Sequence, residues 1–502
     1  MIRRLAHFLL LFHVVVVPLG AAPATASASE ISADEARGAL DRACAAMRAI
    51  ATHGGYLWRY SPDLRVRGGE VNATATQVWV QQPGTPTVGG AFLRTWRATD
   101  DSVHLDAARA AALALVEGQL QSGGWDYVIE FEPTLRSKWH YRTGPAPGEK
   151  ARNMTTFDDN NTQGAIRFLV AFLEAAKAHP DPADARIAES LDYALRQVCL
   201  AQYPNGAWPQ RWDGKPHDPA LFPPLQATLP GEYPREQPST GYYAHYTFND
   251  GAHRDLVLAL LDAARATGRE DCRAAARRGA EFVLQAQLPE PQPAWAQQYD
   301  ARMHPAWARA FEPPAVSSAE TVGAIDMLLI AYGEFGDRRY LDAIPPALAW
   351  LERSAIAPGR WARLYELGTN RPIYGDRDGK VHYALEEISE ERRRGYAWEG
   401  GFGVESVVRR HEKLLASGGT AAKGGASVAG LNAKQRAARL TKLRPAVAEA
   451  VRSLDADGRW LTDGSARRVD PDVTQWIETE TFVRHTGLLC EYLELLRAAS
   501  AP

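Results

Sequence analysis

Gln119-Leu-Gln-Ser-Gly-Gly-Trp125 and Gln202-Tyr-Pro-Asn-Gly-Ala-Trp208 share the pattern Gln-x-x-x-Gly-x-Trp. Asp457-Gly-Arg-Trp460 is a shorter echo, and Gln287 to Trp295 a stretched one. Each follows an apolar segment whose spacing of three and four residues, filled in with Ala, Leu and Arg, predicts a helix. The same spacing predicts helices near 32–51, 90–99 with 103–121, 161–177 with 183–202, 250–267 with 270–287, 319–335 with 338–354, 398–416 with 432–454, and 477–498. Helical hairpins repeated at this interval and punctuated alike stack around a common axis. The expected fold is therefore all-α: an α/α toroid, an incomplete barrel of hairpins. Long loops form its cleft, and strands are few and short because little of the chain alternates at period two. In this arrangement the repeated Gln and Trp residues pack one hairpin against the next.

The ends of the chain and its composition narrow the setting. Met1-Ile-Arg-Arg-Leu is basic, Phe8 to Leu19 is apolar, and Ala26-Ser-Ala28 fits a cleavage site, so residues 1–28 read as a secretory signal peptide. Nothing later is long and apolar enough to span a bilayer. The length of 29–502 could hold one large domain or two to three ordinary ones; the expectation is a secreted or periplasmic monomer in which 29–502 form one domain. A flexible surface connector is expected near 416–430, where Gly, Ala and Ser dominate. A net charge of −3 in 502 residues gives no field that would draw nucleic acid. The cysteines Cys44, Cys199, Cys272 and Cys490 are too sparse for a metal set or a disulfide framework. A bridge between Cys44 and Cys490, or four buried thiols, both remain compatible with the spacing.

Two acidic motifs open predicted helices. Thr156-Phe-Asp-Asp-Asn-Asn-Thr-Gln-Gly164 precedes Ala165–Ala175, and Thr247-Phe-Asn-Asp-Gly251 precedes Ala252–Ala263. One Asp or Asn before a helix is an N-cap. Asp158 and Asp159 with Asn160, and Asn249 with Asp250, exceed what capping needs. Clustered hard oxygen ligands at neighbouring helix starts suit calcium. In a toroid the first helices of the hairpins start at one end of the ring, so Asp158–Asn160, Asn249-Asp250, Ser317–Glu320 and Trp398-Glu399-Gly400 should share a face with the long loops. One such loop, Arg360 to Arg394, sets Arg363, Arg371, Arg377 and Lys380 among Tyr365, Tyr374 and Tyr383. Arginine takes planar carboxylates through two parallel hydrogen bonds, although Glu366, Asp376 and Asp378 offer local partners. Arg392, Arg393 and Arg394 read as a charged helix surface. Arg309, in Trp307-Ala-Arg-Ala-Phe-Glu312, is a further cation beside aromatics. Calcium ligands, loop arginines and aromatics together suit an acidic carbohydrate. No phosphate-binding Gly-rich loop, nucleophile elbow or His-Glu-x-x-His motif is present.

Longer motifs then become specific. They are Gly54-Gly-Tyr-Leu-Trp-Arg-Tyr-Ser-Pro62, Thr156–Asn160, Tyr203-Pro-Asn-Gly-Ala-Trp-Pro-Gln210, Thr247–Asp250, Trp295-Ala-Gln-Gln-Tyr-Asp300, Trp307–Pro314 and Trp361-Ala-Arg-Leu-Tyr-Glu-Leu-Gly-Thr-Asn-Arg-Pro372. In this order, from about residue 40 to the C-terminus, the chain resembles the family 10 polysaccharide lyases, pectate lyases of the α/α-toroid type. The resemblance implies calcium-assisted β-elimination of polygalacturonate or pectin with an arginine as base, leaving 4,5-unsaturated products. It carries metal ligation to Asp158, Asp159, Asn249 and Asp250, with Asp158 also catalytic. It places the base in the Arg363–Arg377 loop; Arg377 is favoured, with Arg371 and Arg363 on substrate. Arg309, Tyr374, Trp208 and Lys380 are expected to bind substrate. The Pro-rich stretch 213–241 departs from the family pattern and either rims the cleft or decorates the surface. An inverting glycoside hydrolase would need two flanking acids, such as Asp158 and Glu399, and leaves the arginines unexplained. A terpene-cyclase-like barrel lacks its Asp-x-Asp-Asp motif here, and a non-catalytic pectin-binding protein would not need the extra arginines.

Overall fold

The apolar spacing resolves into helices α1 Ala33–Ala49, α2 Thr85–Thr99, α3 Ser102–Gly118, α4 Pro133–Arg136, α5 Asn161–Ala176, α6 Asp184–Leu200, α7 Ala252–Thr267, α8 Glu270–Gln285, α9 Ser318–Phe335, α10 Arg339–Asp342, α11 Ile344–Arg353, α12 Glu390–Gly395, α13 Val404–Ala416, α14 Ala433–Arg452 and α15 Thr479–Ser500. The computed structural model describes residues 31–238, 241–417 and 428–500. The expected signal peptide, and most of the expected connector near 416–430, lie outside these residues.

Local chemistry sets several boundaries. Ser32 and Glu35 form a capping box on α1, and Asn432 and Gln435 form one on α14. Helix α2 starts ahead of the expected residue 90 because Pro86 is tolerated in a first turn, where its missing N–H has no helical partner anyway. The expected helix 338–354 breaks between α10 and α11, with Pro345-Pro346 opening α11. The expected start at 398 moves to Val404 because Glu399–Gly400 pairs instead with Trp361–Ala362 as a two-residue sheet.

Helices α15, α2, α5, α7, α9 and α13 pack side by side in that order as an inner row. Helices α1, α3, α6, α8, α11 and α14 lie behind them. Among the described residues no comparable packing closes α13 onto α15, so the ring is incomplete. One continuous apolar core runs from Ala36 to Leu495. The fold is an all-α α/α toroid.

The repeated Gln and Trp residues stitch the hairpins. Gln119 Nε2 donates to Gly123 O and to Ser190 O on the next outer helix, and Gln202 Nε2 repeats this with Gly206 O and Ala275 O. Gln287 Nε2 does so with Pro293 O and Ala343 O. Trp125, Trp208, Trp295, Trp361 and Trp460 each donate from Nε1 to a carbonyl in the last turn of the preceding outer helix, where carbonyls lack intrahelical partners. Gly123, Gly206, Gly359 and Gly458 supply the left-handed turn between them, at φ 103°, 94°, 68° and 75°. The repeat at Gly359-Arg-Trp361 escaped the sequence pattern because Ala355 stands where the glutamine would be.

Strands are short and gather at the loop end. Thr155–Thr156 pairs with Arg211–Trp212, and Tyr246–Thr247 pairs with Gln298–Tyr299. A four-stranded sheet orders Val381–His382, Pro372–Gly375, Leu364–Tyr365 and Val316–Ser317. All four cysteines are free: Cys44 and Cys490 both approach the Thr95 hydroxyl, at 3.8 and 3.7 Å, inside the core.

Candidate active site

The two acidic motifs fold identically and meet. Each follows a two-residue strand, forms a 3-10 turn (Asp158–Asn160 and Asn249–Gly251) and opens an inner helix. Asp159 and Asn160 have φ 51° and 52°, and Asp250 and Gly251 have φ 51° and 73°. Asp, Asn and Gly tolerate this left-handed region better than other residues, which is why the turns are written in them. The two turns pack together. One carboxylate oxygen from each of Asp158, Asp159 and Asp250 lies within 4.8 Å of the others. Burial, then Asp159 and Asp250, pushes Asp158 up to about 7. Burial, then Asp250 and Glu70, pushes Asp159 up to about 6. Burial likewise raises Asp250, against the pull of Arg309 and Arg363. Gln210 Nε2 donates to Asp158 Oδ2 (2.9 Å), while Asp158 Oδ1 is buried with no partner. Three hard carboxylates crowded until each resists ionisation, one with an orphaned oxygen, fit a divalent cation such as calcium.

Cations face this cluster. Arg309 Nη2 lies 3.9 Å from Asp250 and is clamped by Glu312, with Nε to Oε2 at 2.7 Å and Nη2 to Oε1 at 2.5 Å. Glu312 is buried and also accepts from Gln297 Nε2 (2.9 Å) and Tyr396 OH (3.1 Å). Burial would lower the Arg309 pKa, but Glu312 holds it above its ordinary value. Arg363 is fixed between two sheets: Ala362 pairs with Glu399 and Leu364 with Ser317. Its guanidinium lies 4.0 Å from Asp250 and 3.7 Å from Glu320, over the Tyr396 ring, with Nε buried and unpartnered. The Arg309 side chain is 38% exposed and that of Arg363 12%. A cavity of about 390 Å³ opens here, lined by Asp250, Glu320, Asp326, Arg363, Phe402 and Arg410 among others.

The remaining predicted residues stand further out. Arg377 is exposed and doubly hydrogen-bonded to Glu391 (both 3.0 Å), and its guanidinium lies 6.0 Å from the Phe311 ring that Arg309 also covers. Arg371 is exposed over the Tyr383 ring, and Lys380 pairs with Glu236 (3.5 Å). Tyr374 is buried, donating to Glu399 (2.6 Å). Trp208 corrects the sequence expectation: its indole is buried in the core against His253 and has no face to offer a sugar. Asn249 is buried beside the aspartates, its Nδ2 donating to Asp250 Oδ2 (2.7 Å) and its Oδ1 accepting from Gln297 Nε2 (2.7 Å). Sequence reasoning assigns no site role to Glu312, Glu320, Gln210, Gln297 and Tyr396. It places Glu320 on this face only as part of Ser317–Glu320, Glu312, Gln210 and Gln297 enter it only within longer motifs, and Tyr396 carries no signal.

Sequence comparison matches the family described as pectic acid lyase over residues 119–360 and 353–407. No curated protein matches. Among solved structures, a family 10 polysaccharide lyase from Cellvibrio cellulosa aligns at 22% identity and TM-score 0.46, covering 66% of this chain and 97% of that one. A mutant of the Cellvibrio enzyme in complex with trigalacturonic acid aligns at 21% identity and TM-score 0.45, covering 66% and 98%. A sugar epimerase from a ruminal bacterium aligns at 12% identity and TM-score 0.46, covering 94% and 100%. The family match spans both acidic motifs and the loops that carry Arg309, Arg363 and Arg377, and the chain belongs to the pectic acid lyase family, a polysaccharide lyase.

Proposed function

We propose that this chain is an exported, calcium-dependent pectate lyase that cleaves polygalacturonate by β-elimination. The observation that carries this reading is the meeting of Asp158, Asp159 and Asp250 with Arg309 and Arg363 at one loop face. A hydrolase needs two separated carboxyl groups; here the acids crowd together and the opposing groups are cations. In elimination the C5 proton beside the uronate carboxylate leaves, enolate-like charge develops, and the C4–oxygen bond breaks. Asp158, Asp159 and Asp250 would hold calcium, and its positive charge would supply acidification of the C5 proton and disfavour protonation of nearby guanidinium groups.

Arg363, deeply set and with an uncommitted Nε, is suited to hold the carboxylate and the developing charge. Arg309 is suited to be the base: it stands beside the cluster yet reaches solvent. The sequence favoured Arg377 for that role, but its ion pair with Glu391 at the surface suits the flanking sugar better. Guanidinium is ordinarily fully protonated, and Glu312 strengthens that here. Turnover should therefore climb with pH well into the alkaline range. The test is absorbance at about 235 nm, where a conjugated uronate is expected, on polygalacturonate with calcium and then with chelator. A rise that chelator abolishes supports the reading; reducing ends released without absorbance would mean hydrolysis and sink it.

A further inference from the structure

The Pro-rich stretch 213–241 is tied to the site at several points. Trp307 Nε1 donates to Pro234 O (2.8 Å), Gln237 N to Gly379 O (2.9 Å) and Gln237 Nε2 to Ala308 O (2.7 Å). Arg235 pairs with Glu366 (2.6 Å). The stretch thus bonds to the loop of Arg309 and to the loop of Arg377. It leads into Tyr242-Tyr243, whose ring centroids are 4.5 Å apart, with Tyr243 40% exposed. Tyr243 O accepts from the backbone N–H groups of Gln210 (3.0 Å) and Arg211 (3.3 Å). The Arg211 guanidinium lies 4.3 Å from the centroid of the Tyr243 ring. Arg211 is cross-strand to Thr156, and its neighbour Gln210 bonds Asp158. Among the described residues no carboxylate pairs with Arg211, and its Nε is buried without a partner. By contrast Arg309, Arg363 and Arg377 each face a carboxylate.

We propose that Arg211, Tyr242 and Tyr243 form a further subsite for a uronate residue, next to the acidic cluster. A tyrosine face stacks on the pyranose ring, and the guanidinium, resting on the Tyr243 ring with no carboxylate partner among the described residues, takes the uronate carboxylate. This rests on the polyuronate reading above. It adds that the insertion shapes chain recognition rather than decorating the surface.

The test compares Tyr243→Ala, Tyr243→Phe, Arg211→Gln and Arg211→Lys in the full chain, on polygalacturonate and on trigalacturonate. Circular dichroism and melting temperature check folding. Tyr243→Ala and Arg211→Gln should each raise KM about threefold to tenfold, the size of one lost stacking or charged contact, with kcat falling far less. Tyr243→Phe should stay near the parent, because stacking needs no hydroxyl, and Arg211→Lys should fall between. KM unchanged in both damaging variants overturns the subsite. A fall in kcat together with weaker calcium binding, at constant KM, also overturns it, since the pair would then only brace Gln210 against Asp158. A parent protein that neither eliminates nor binds trigalacturonate defeats the polyuronate reading and the subsite together. A parent that is active beside variants that are unchanged defeats the subsite alone.

Discussion

Arg309 and Arg377 are chemically the same residue with different neighbours. Arg309 is held by buried Glu312 beside Asp250, whereas Arg377 pairs with Glu391, whose side chain is half exposed. A general base is worth about 10²–10⁴ in rate. Arg309→Lys should therefore lower kcat on polygalacturonate by about a thousandfold. Arg377→Lys should keep most of its turnover with a raised KM, as measured by steady-state kinetics at alkaline pH. The reverse pattern would return the base to Arg377. Glu312→Gln removes the group that pins Arg309 protonated but also loosens its clamp. It should shift the alkaline limb of the pH–rate profile downward while lowering the maximum rate.

Elements position these residues, so some substitutions outside the chemistry should be as damaging. A Cβ on Gly375 would lie 2.3 Å from Phe311 O, where the sheet strand crosses the Arg309 loop. Gly375→Ala should push that loop away and cost activity out of proportion to stability, read as kcat against melting temperature. A Cβ on Gly206 would meet Arg278 O at 2.2 Å, and φ there is 94°. Gly206→Ala should thus lower stability by at least about 2 kcal/mol, with chemical denaturation as the check. The hairpins themselves were legible in the sequence because helix periodicity and the Gln-x-x-x-Gly-x-Trp stitch are local signals. Trp361 is not read as part of the repeat because its hairpin closes without the glutamine. Trp208 misled for a related reason: the same residue type serves core and cleft, and only its neighbours distinguish the two.

For the whole molecule the acidic cluster links metal, pH and stability. Asp158 at about 7 and Asp159 at about 6 lie above an unfolded carboxylate near 3.9, so the folded state binds more protons in that window. Without metal, the cluster should cost stability progressively as pH rises from about 4 to about 7, and fully above it. Calcium should raise the melting temperature strongly at pH 8 and little at pH 5, where protons hold its ligands. Differential scanning calorimetry in calcium and in chelator checks this, and Asp158→Asn should flatten the difference.

The sequence by itself determined the hairpin repeat, the toroid it builds and the two acid-bearing turns. Each of these is written in residues a few positions apart: apolar spacing, a Trp that caps the helix before it, Asp and Asn where φ turns positive. Only the tertiary structure decided which arginine faces the acids and which faces solvent. That choice depends on the pairing of Leu364 with Ser317, and on whether Glu312 or Glu391 reaches the guanidinium. Contacts of long sequence separation leave no periodic trace, and an arginine's residue type does not name its partner.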